Sequence, residues 1–306
     1  MEKRRAFIIV NPIAANGRVA KDWPAVRGLL AELGLEFDFR LTERPMHASE
    51  IAREAVAAGF NPIVTYGGDG TLMETVNGLF AEPGAPSSAT LGIIPGGTGC
   101  DFVRTLGIPH DYREACRILV SGSERQMDVG YATFRGFDGG ERHLYFANVA
   151  GLGFDGEVVE RVQRSSKALG PTVTYLGNLL ISLMYYKNKH VSLRFDDSAQ
   201  QRRMNSVVVC NGRYFGGAMC IAPPAELQDG EFDLVILGDL SKPELVANVP
   251  RIYKGTHLTH PKVQIHKAHQ VYVEAQERML VQADGELVGQ APASFRILPG
   301  VLRVIA

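Results

Sequence analysis

The hydrophobic positions in the first third of the chain follow two alternating spacings. Short runs of consecutive apolar residues are followed by stretches whose apolar residues share one helical face. The runs predict strands at Phe7–Val10, Phe37–Leu41, Ile63–Tyr66 and Leu91–Ile94. The helical spacing predicts helices at Val19–Leu33, Ile51–Val56, Thr71–Phe80 and Asp111–Val120. Strands and helices that alternate with short loops predict a parallel α/β sheet.

After Asp128 the pattern changes, and strand signals separated by glycine and proline dominate. They predict strands at Leu144–Val149, Val191–Phe195, Ser206–Cys210, Phe232–Leu237, Val271–Glu274, Met279–Gln282 and Phe295–Leu298. Three stretches carry a helical pattern: Gly156–Arg164, Val173–Tyr186 and Lys242–Tyr253. The second half is therefore expected to be a mostly antiparallel β-sandwich or distorted barrel.

Two domains are expected from this change of pattern, one over residues 1–128 and one over residues 129–306. The length of 306 residues agrees with two domains. The last apolar segment, Val301–Ala306, is expected to form a strand in either domain and can pack back on the first.

Composition narrows the functional class. Forty-five per cent of the residues are hydrophobic and 21% are charged, which is typical of a globular protein. The formal charge of -1 argues against a nucleic-acid partner, because phosphate neutralisation needs an excess of Lys and Arg. The four cysteines show no CxxC spacing, which favours a reduced, cytoplasmic chain. The stretch Val173–Tyr186 is shorter than the ~20 residues of a membrane helix, so any membrane contact is expected to be peripheral.

Three glycine-rich turns each follow a predicted strand of the first domain. They cover residues 11–17, 67–71 and 95–99. The carboxyl ends of parallel strands meet at one edge of a sheet, where glycine lets backbone N–H groups approach an anion. Each turn alone is also compatible with an ordinary tight turn, but three at equivalent positions predict a polyphosphate site. Neither a GxxxxGK[ST] loop nor a GxGxxG after a strand is present.

The second of these turns contains the most specific residues. Asp69 lies between glycines at a strand end, where a carboxylate can serve a metal ion or a hydroxyl group. Thr71 and Glu74 have two interpretations, because T-x-x-E is also a capping box that opens a helix.

The motifs together resemble a known family. Gly67-Gly68-Asp69-Gly70-Thr71 is shared by diacylglycerol kinases, sphingosine kinases, NAD kinases and phosphofructokinases. The Asn11…Gly17 turn and the segment Gly92–Arg104 narrow the resemblance to the diacylglycerol kinase catalytic domain, in its bacterial soluble branch. Later matches are Gly151–Asp155, Asn211–Gly217, Ala222–Asp233 and Ala283–Glu286. The chain lacks the NE-type motif of NAD kinases.

The resemblance implies a fold and a set of ligands. It implies an N-terminal nucleotide-binding α/β domain like that of NAD kinases and phosphofructokinases, a C-terminal β-sandwich domain, and ATP in the cleft between them. The implied nucleotide contacts are Asn11, Pro12, Gly17, Thr42, Gly67, Gly68, Asp69, Gly70, Thr71, Glu74, Gly97 and Thr98. It also implies Mg²⁺ held by the Asp229 side chain and the carbonyls of Glu226 and Glu231. Without the resemblance, Asp229-Gly230 is better interpreted as an ordinary turn between strands.

Phosphoryl transfer to an alcohol needs alignment, Mg²⁺ and a base near the acceptor hydroxyl. Asp284 and Glu286 lie in a late turn and are the candidates for base and metal support. Their i, i+2 spacing places them on one face if the segment is extended, and the sequence leaves the choice of base open. Asp69 is expected to position Mg²⁺ or the hydroxyl.

One position departs from the family. Cys100 stands where the family usually has Asn, and cysteine lacks the hydrogen-bonding groups of an amide. This puts nucleotide affinity or the order of the loop in question.

The function expected is an ATP-dependent lipid kinase that converts diacylglycerol to phosphatidic acid. The alternatives are another acceptor, such as a sphingoid base, another glycerolipid or a small alcohol, and an ATP-binding regulator with weak catalysis. Only Cys100 favours the regulator. The expected partner is a lipid at the inner face of the cell membrane, and a homodimer is possible.

Overall fold

A computed structural model describes residues 5–80, 85–87, 89–164, 177–178 and 181–306. The chain forms two compact units. The first contains Met1–Val129 together with Leu298–Ala306, and the second contains Gly130–Ile297. This division falls one residue after the predicted one, and the last residues belong to the first unit.

The first unit is built on a parallel sheet. Its strands are β1 (Ala6–Val10), β2 (Phe37–Leu41), β3 (Ile63–Gly67) and β4 (Thr90–Pro95), in the spatial order β2-β1-β3-β4. Arg303 and Val304 at the end of the chain pair in parallel with β4. The segment Val301–Ala306, which was predicted as a strand, therefore extends this sheet.

In the described part of this unit, five helices connect and flank these strands. They are α1 (Ala14–Glu32), α2 (His47–Ala57), α3 (Asp69–Leu79), α4 (Asp101–Leu106) and α5 (Tyr112–Ser121). The core between sheet and helices includes Ile8, Val26, Val64 and Tyr66. The short helix α4 was not predicted, because its six residues are too few to show a hydrophobic period.

Strands dominate the second unit. They are β5 (Glu124–Arg135), which begins in the first unit, β6 (Glu141–Phe146), β7 (Val149–Gly153), β8 (Lys189–Phe195), β9 (Ser198–Met204), β10 (Ser206–Cys210), β11 (Tyr214–Phe215), β12 (Met219–Cys220), β13 (Phe232–Leu237), β14 (Val263–Ala268), β15 (Gln270–Ala275), β16 (Leu280–Ala283) and β17 (Glu286–Ile305), which ends in the first unit. The order β14-β13-β10-β7-β16-β17 is antiparallel throughout. Its helices include α6 (Phe154–Arg164) and α7 (Lys242–Tyr253).

One predicted strand is divided in the structure, and one predicted helix is only partly described. The strand predicted at Leu144–Val149 is divided between β6 and β7, because the chain bends at residues 147–148. The helix predicted at Val173–Tyr186 lies partly outside the described residues, and within it residues 177–178 and 181–185 are helical. In the part of the chain that is described, no helix has both the length and the apolarity needed to cross a membrane.

Candidate functional site

The glycine-rich turns of the first unit lie at the carboxyl ends of β1, β3 and β4, as the sequence predicts. The turns are bonded to each other through the backbone. The Asn11 N–H donates to the Tyr66 carbonyl at 3.0 Å, and the Gly96 N–H donates to the Gly67 carbonyl at 2.7 Å. The three loops therefore form one continuous edge of backbone groups.

The second and third turns pack against each other at distances that only glycine permits. A Cβ on Gly97 would lie 2.5 Å from the Cα of Gly68. A Cβ on Gly67 would lie 2.5 Å from Oγ1 of Thr71. These glycines have a structural reason to be present in addition to the close approach of a phosphate.

Asn11 connects the first turn to the second. Its Nδ2 donates to Oγ1 of Thr71 at 2.9 Å, and its Oδ1 accepts from the Ile13 N–H at 3.3 Å. Thr71 is buried. Its hydroxyl is therefore held at the first turn of α3, with its own proton still available to an acceptor.

Backbone strain marks the first turn. Ala15 and Asn16 lie in the left-handed region with φ of 48° and 57°, and Gly17 follows with φ of 82°. A left-handed alanine costs about 1–2 kcal/mol. These three residues also explain why α1 was predicted to begin only at Val19, because its first residues are not regular helix.

Asp69 begins α3 and also holds the start of α4. Its carboxylate accepts the backbone N–H groups of Asp101 at 3.2 Å and of Phe102 at 3.4 Å. Burial, followed by the charge of Asp101, raises the pKa of Asp69 to about 6, although these N–H groups oppose the shift. Asp69 is therefore mostly ionised at neutral pH and fixes the third turn relative to the second. The sequence did not predict this pairing with Asp101, although Asp101 is part of the family motif.

Cys100 adapts to the position that the family fills with Asn. Its backbone is left-handed, with φ of 46°, a conformation that Asn adopts more readily than most residues. The thiol is buried and accepts the Gly97 N–H at 3.2 Å. Burial, followed by the charge of Asp69, raises the pKa of the thiol to about 12. Cys100 is thus a neutral acceptor that keeps one hydrogen bond of the loop.

The remaining predicted nucleotide contacts occupy different surroundings. Thr42 follows β2 and donates its N–H to the Val10 carbonyl at 2.8 Å, beside the first turn. Thr98 is exposed in the third turn, and Pro12 is half-buried in the first. The geometry therefore places Thr42, Thr98 and Pro12 at the same edge of the sheet.

Glu74 is used elsewhere in the unit. Its Oε2 accepts the Ala48 N–H at 3.1 Å, at the start of α2. The capping-box interpretation of Thr71 and Glu74 was wrong, because α3 begins two residues earlier at Asp69. Glu74 caps the neighbouring helix instead.

In the second unit, the late turn is a two-residue hairpin. Asp284 and Gly285 have φ of 48° and 85° and lie between the paired residues Ala283 and Glu286. This is the pattern of a type I′ turn. The segment is not extended, so the condition under which Asp284 and Glu286 would share one face is not met.

The two carboxylates of this turn have different partners. Asp284 is buried and accepts the N–H groups of Ala147, Asn148 and Val149 at 2.9–3.0 Å. Those bonds hold the bend between β6 and β7. Glu286 is half-buried, and its Oε2 accepts from Nε2 of Gln163 on α6 at 3.0 Å.

One of the predicted Mg²⁺ ligands, Asp229, is paired with a lysine. Asp229 contacts the ammonium of Lys267, which also lies 3.0 Å from Oδ2 of Asp233. Oδ1 of Asp229 accepts the Glu231 N–H at 3.1 Å. Oxygen ligands of this kind suit Mg²⁺, but the ammonium already occupies the cation position on Asp229. The residues in this arrangement do not fit a directly bound Mg²⁺.

Side-chain clusters that could bind a metal ion are a separate question from the predicted carbonyl ligands. Among the residues that the structure describes, no group of three or more His, Cys, Asp or Glu side chains is arranged to hold a metal ion. The predicted carbonyls of Glu226 and Glu231 therefore remain a prediction.

Two families match the chain in sequence. Residues 5–132 match the diacylglycerol kinase catalytic domain, and residues 148–306 match the YegS C-terminal NAD kinase beta sandwich-like domain. The diacylglycerol kinase of Bacillus subtilis (strain 168) is 31% identical over 95% of this chain and 93% of its own length. That of Staphylococcus carnosus (strain TM300) is 30% identical over 96% and 92%.

Solved structures share the fold. A crystal structure of a diacylglycerol kinase from Bacillus anthracis str. Sterne has a TM-score of 0.72 at 22% identity, over 99% of this chain and 96% of that one. Yeast NADH kinase complexed with NADH has a TM-score of 0.51 at 10% identity, over 99% and 83%. The predicted fold class, an α/β domain with a C-terminal β-sandwich domain, is confirmed.

Proposed function

Because the chain belongs to the diacylglycerol kinase family and is an ATP-dependent lipid kinase, we propose that its acceptor is diacylglycerol and its product is phosphatidic acid. The relatives from Bacillus and Staphylococcus carry the name of this activity over nearly the full chain. These names are the observation that supports the acceptor most, and the continuous edge of glycine-rich turns in the first unit supports ATP as the donor, because polyphosphate binding needs converging backbone N–H groups.

In this proposal, the three turns bind ATP as its Mg²⁺ complex, the usual substrate of kinases. Asn11 and Thr71 hold the first two turns together, and Asp69 ties the third to them through the start of α4. Positioning of this kind is the main contribution that a protein makes to phosphoryl transfer. Pro12, Gly17, Thr42, Gly70, Gly97 and Thr98 complete the proposed nucleotide site.

Glu286 is the proposed base. The lipid hydroxyl loses its proton to the Glu286 carboxylate as its oxygen forms the new bond to the γ-phosphorus, and ADP leaves with the bridging oxygen. Asp284 is the weaker candidate, because three backbone N–H groups already occupy its carboxylate. Glu286 accepts a hydrogen bond from the Gln163 side chain on α6 at 3.0 Å, and backbone N–H groups do not hold its carboxylate in the way that they hold Asp284.

The lipid is proposed to be reached at a membrane surface. Diacylglycerol is confined to bilayers. The described helices are too short or too polar to span a bilayer, so the protein would have to bind at the membrane surface to reach this lipid. The net charge of -1 offers no general attraction to anionic lipid, and a local patch would have to supply it. Cytoplasmic location and a possible homodimer also stay predictions.

The test is a lipid panel with labelled ATP, separated by thin-layer chromatography. Diacylglycerol, a sphingoid base and a monoacylglycerol are each presented in mixed micelles, and glycerol is added in solution. The proposal expects a labelled product with diacylglycerol at a rate well above that of the other acceptors. Preferred labelling of another alcohol would replace the acceptor and retain the kinase. ATP binding without transfer to any of them would favour the regulator.

A further inference from the structure

Helix α6 is connected to the hairpin that carries Glu286 by a chain of buried polar groups. Nε2 of Gln282 donates to Oδ2 of Asp155 at 3.1 Å. Oε1 of the same amide accepts the Gly285 N–H at 3.1 Å. Asp155 is the second residue of α6, Gln282 lies on β16, and Gly285 is the residue before Glu286. The start of the helix thus reaches the turn through one amide.

The surrounding backbone is shaped to admit this chain. A Cβ on Gly151 of β7 would lie 1.9 Å from Oδ2 of Asp155. A Cβ on Gly156 would lie 2.8 Å from the carbonyl oxygen of Leu280 on β16. The register of β16 also shifts between Val281 and Gln282, and a bulge of this kind redirects the side chains next to it. These features bring α6 close to the hairpin.

The polar chain is costly to bury. Asp155 and Gln282 are both buried, with 9% and 2% of their surface exposed. Burial raises the pKa of Asp155 to about 6, although the bond from Gln282 opposes the shift. Apolar residues of similar volume would often stabilise such a position more than a buried carboxylate does. The buried carboxylate and amide therefore lower the stability of the fold. A role in orienting a functional group would account for their presence.

The other end of α6 contacts the base directly. Gln163, eight residues after Asp155 and about 12 Å further along the helix, donates to Glu286 at 3.0 Å. The helix therefore holds the hairpin at two places, at the Gly285 N–H through Gln282 and at the Glu286 carboxylate through Gln163.

We propose that Asp155 and Gln282 are positioning residues for catalysis, which set the orientation of the Asp284-Gly285 turn and through it the carboxylate of Glu286. This inference rests on the proposed function of Glu286 as the base. Asp155 accepts from the amide NH₂ of Gln282 and thereby leaves the amide oxygen for the Gly285 N–H. Without that acceptor the amide is free to turn over, and two donors then face each other at Gly285.

The test compares two nearly isosteric variants, Asp155→Asn and Asp155→Leu. Asn retains an acceptor for the Gln282 amide, so kcat is expected to stay within about threefold of wild type. Leu has no polar atom, and kcat is expected to fall about 10- to 100-fold, the range for a displaced catalytic group. KM for ATP is expected to remain unchanged in both, because the nucleotide turns are in the other unit.

Two further variants separate positioning from general destabilisation. Gln282→Met is expected to reproduce the loss of kcat, and adding it to Asp155→Leu is expected to cost little more, because both break one chain. Glu160→Gln is the matched control on α6. Glu160 pairs with Arg164 and Arg278 and makes no bond to the turn, so kcat is expected to stay at the wild-type value.

The outcomes distinguish this inference from the proposed function. If Glu286→Gln is inactive while folded Asp155→Leu and Gln282→Met keep wild-type kcat, the positioning role is wrong and the base assignment stands. If Glu286→Gln keeps wild-type kcat, the base assignment itself is wrong. If Asp155→Leu does not fold, Gln282→Met decides, and wild-type kcat in that variant overturns the inference.

Discussion

Replacement of Asp69 by Asn is expected to abolish turnover and to stabilise the first unit at the same time. The carboxylate is held in a place where its charge is unfavourable, since burial and the neighbouring Asp101 raise its pKa from 3.8 to about 6. A group retained at such a cost is a candidate for function. Asn removes the charge and keeps nearly the same shape.

The expected gain follows from proton linkage. In the folded protein Asp69 binds its proton more tightly than in the unfolded chain, so the stability of the wild type falls as the pH rises from about 4 to about 6. Well above pH 6, where Asp69 is fully ionised, the penalty reaches about 3 kcal/mol at 1.36 kcal/mol per pH unit. Asn loses about 1 kcal/mol, because its single oxygen cannot accept both N–H groups of α4 as the carboxylate does. The net gain is therefore about 2 kcal/mol at pH 8.

The assay uses the single tryptophan of the chain as a local probe. Trp23 is buried in the first unit against Phe37, Phe39 and Tyr66, so its fluorescence reports unfolding of that unit. Urea titrations are run at pH 8 and pH 4 with EDTA and without nucleotide. The advantage of Asp69→Asn over the wild type is expected to shrink by about 2 kcal/mol between pH 8 and pH 4.

Asp111→Asn is the control for this experiment. Asp111 is the exposed N-cap of α5, where Asn caps as well as Asp, so stability is expected to change by less than about 0.5 kcal/mol at either pH. The reasoning is refuted if Asp69→Asn is less stable than the wild type at pH 8, or if its advantage does not depend on pH.

Three other substitutions test the glycine-rich turns and the pairing of Asp229 with Lys267. Gly97→Ala is expected to weaken ATP binding by about tenfold or more in isothermal titration, because its Cβ meets the Gly68 backbone. Unchanged affinity would contradict this packing. The control is Gly28→Ala, at an open position in α1, which is expected to bind ATP as the wild type does. Cys100→Asn is expected to raise stability by about 1 kcal/mol, since Asn adopts a left-handed backbone more readily, and a lower urea midpoint would argue against this. Lys267→Met is expected to lower the melting temperature and to make it rise with added Mg²⁺; an equal response to Mg²⁺ in the wild type would show that the ammonium does not hold the Asp229 position.

The parallel sheet and its edge were predictable because their signals are local. Ile63–Tyr66 is apolar, glycine follows it at once, and the structure ends β3 at Gly67 and begins α3 at Asp69. The regular part of α1 follows Gly17 and agrees with the predicted start at Val19, but the left-handed turn before it was not predictable, since Ala15 gives no sign of a left-handed backbone. Such conformations are imposed by the surrounding structure rather than by the residues that adopt them.

The roles of individual carboxylates were harder to predict than their presence. Asp284 and Glu286 are two residues apart, yet one holds a bend through three N–H groups and the other faces α6. Glu74 likewise caps a helix that is 26 residues away along the chain. These partners depend on tertiary contacts, which residue spacing does not encode.

Gln282 and Asp155 are a further pair whose contact could not be predicted from residue spacing. The sequence presents Asp155 as part of the Gly151–Asp155 motif and Gln282 as the end of a predicted strand. A buried glutamine between two apolar strand residues is the signal that was available, because such an amide needs partners on both of its ends.

The most direct test of the central claim compares Glu286→Gln with Asp284→Asn in phosphoryl transfer from ATP to diacylglycerol. Glu286→Gln is expected to fold as the wild type does, to bind ATP with unchanged affinity and to lose at least about 100-fold in kcat, because it cannot accept the proton. Asp284→Asn is expected to lower the melting temperature, because it weakens the bend at residues 147–149. Wild-type kcat in Glu286→Gln would contradict the account.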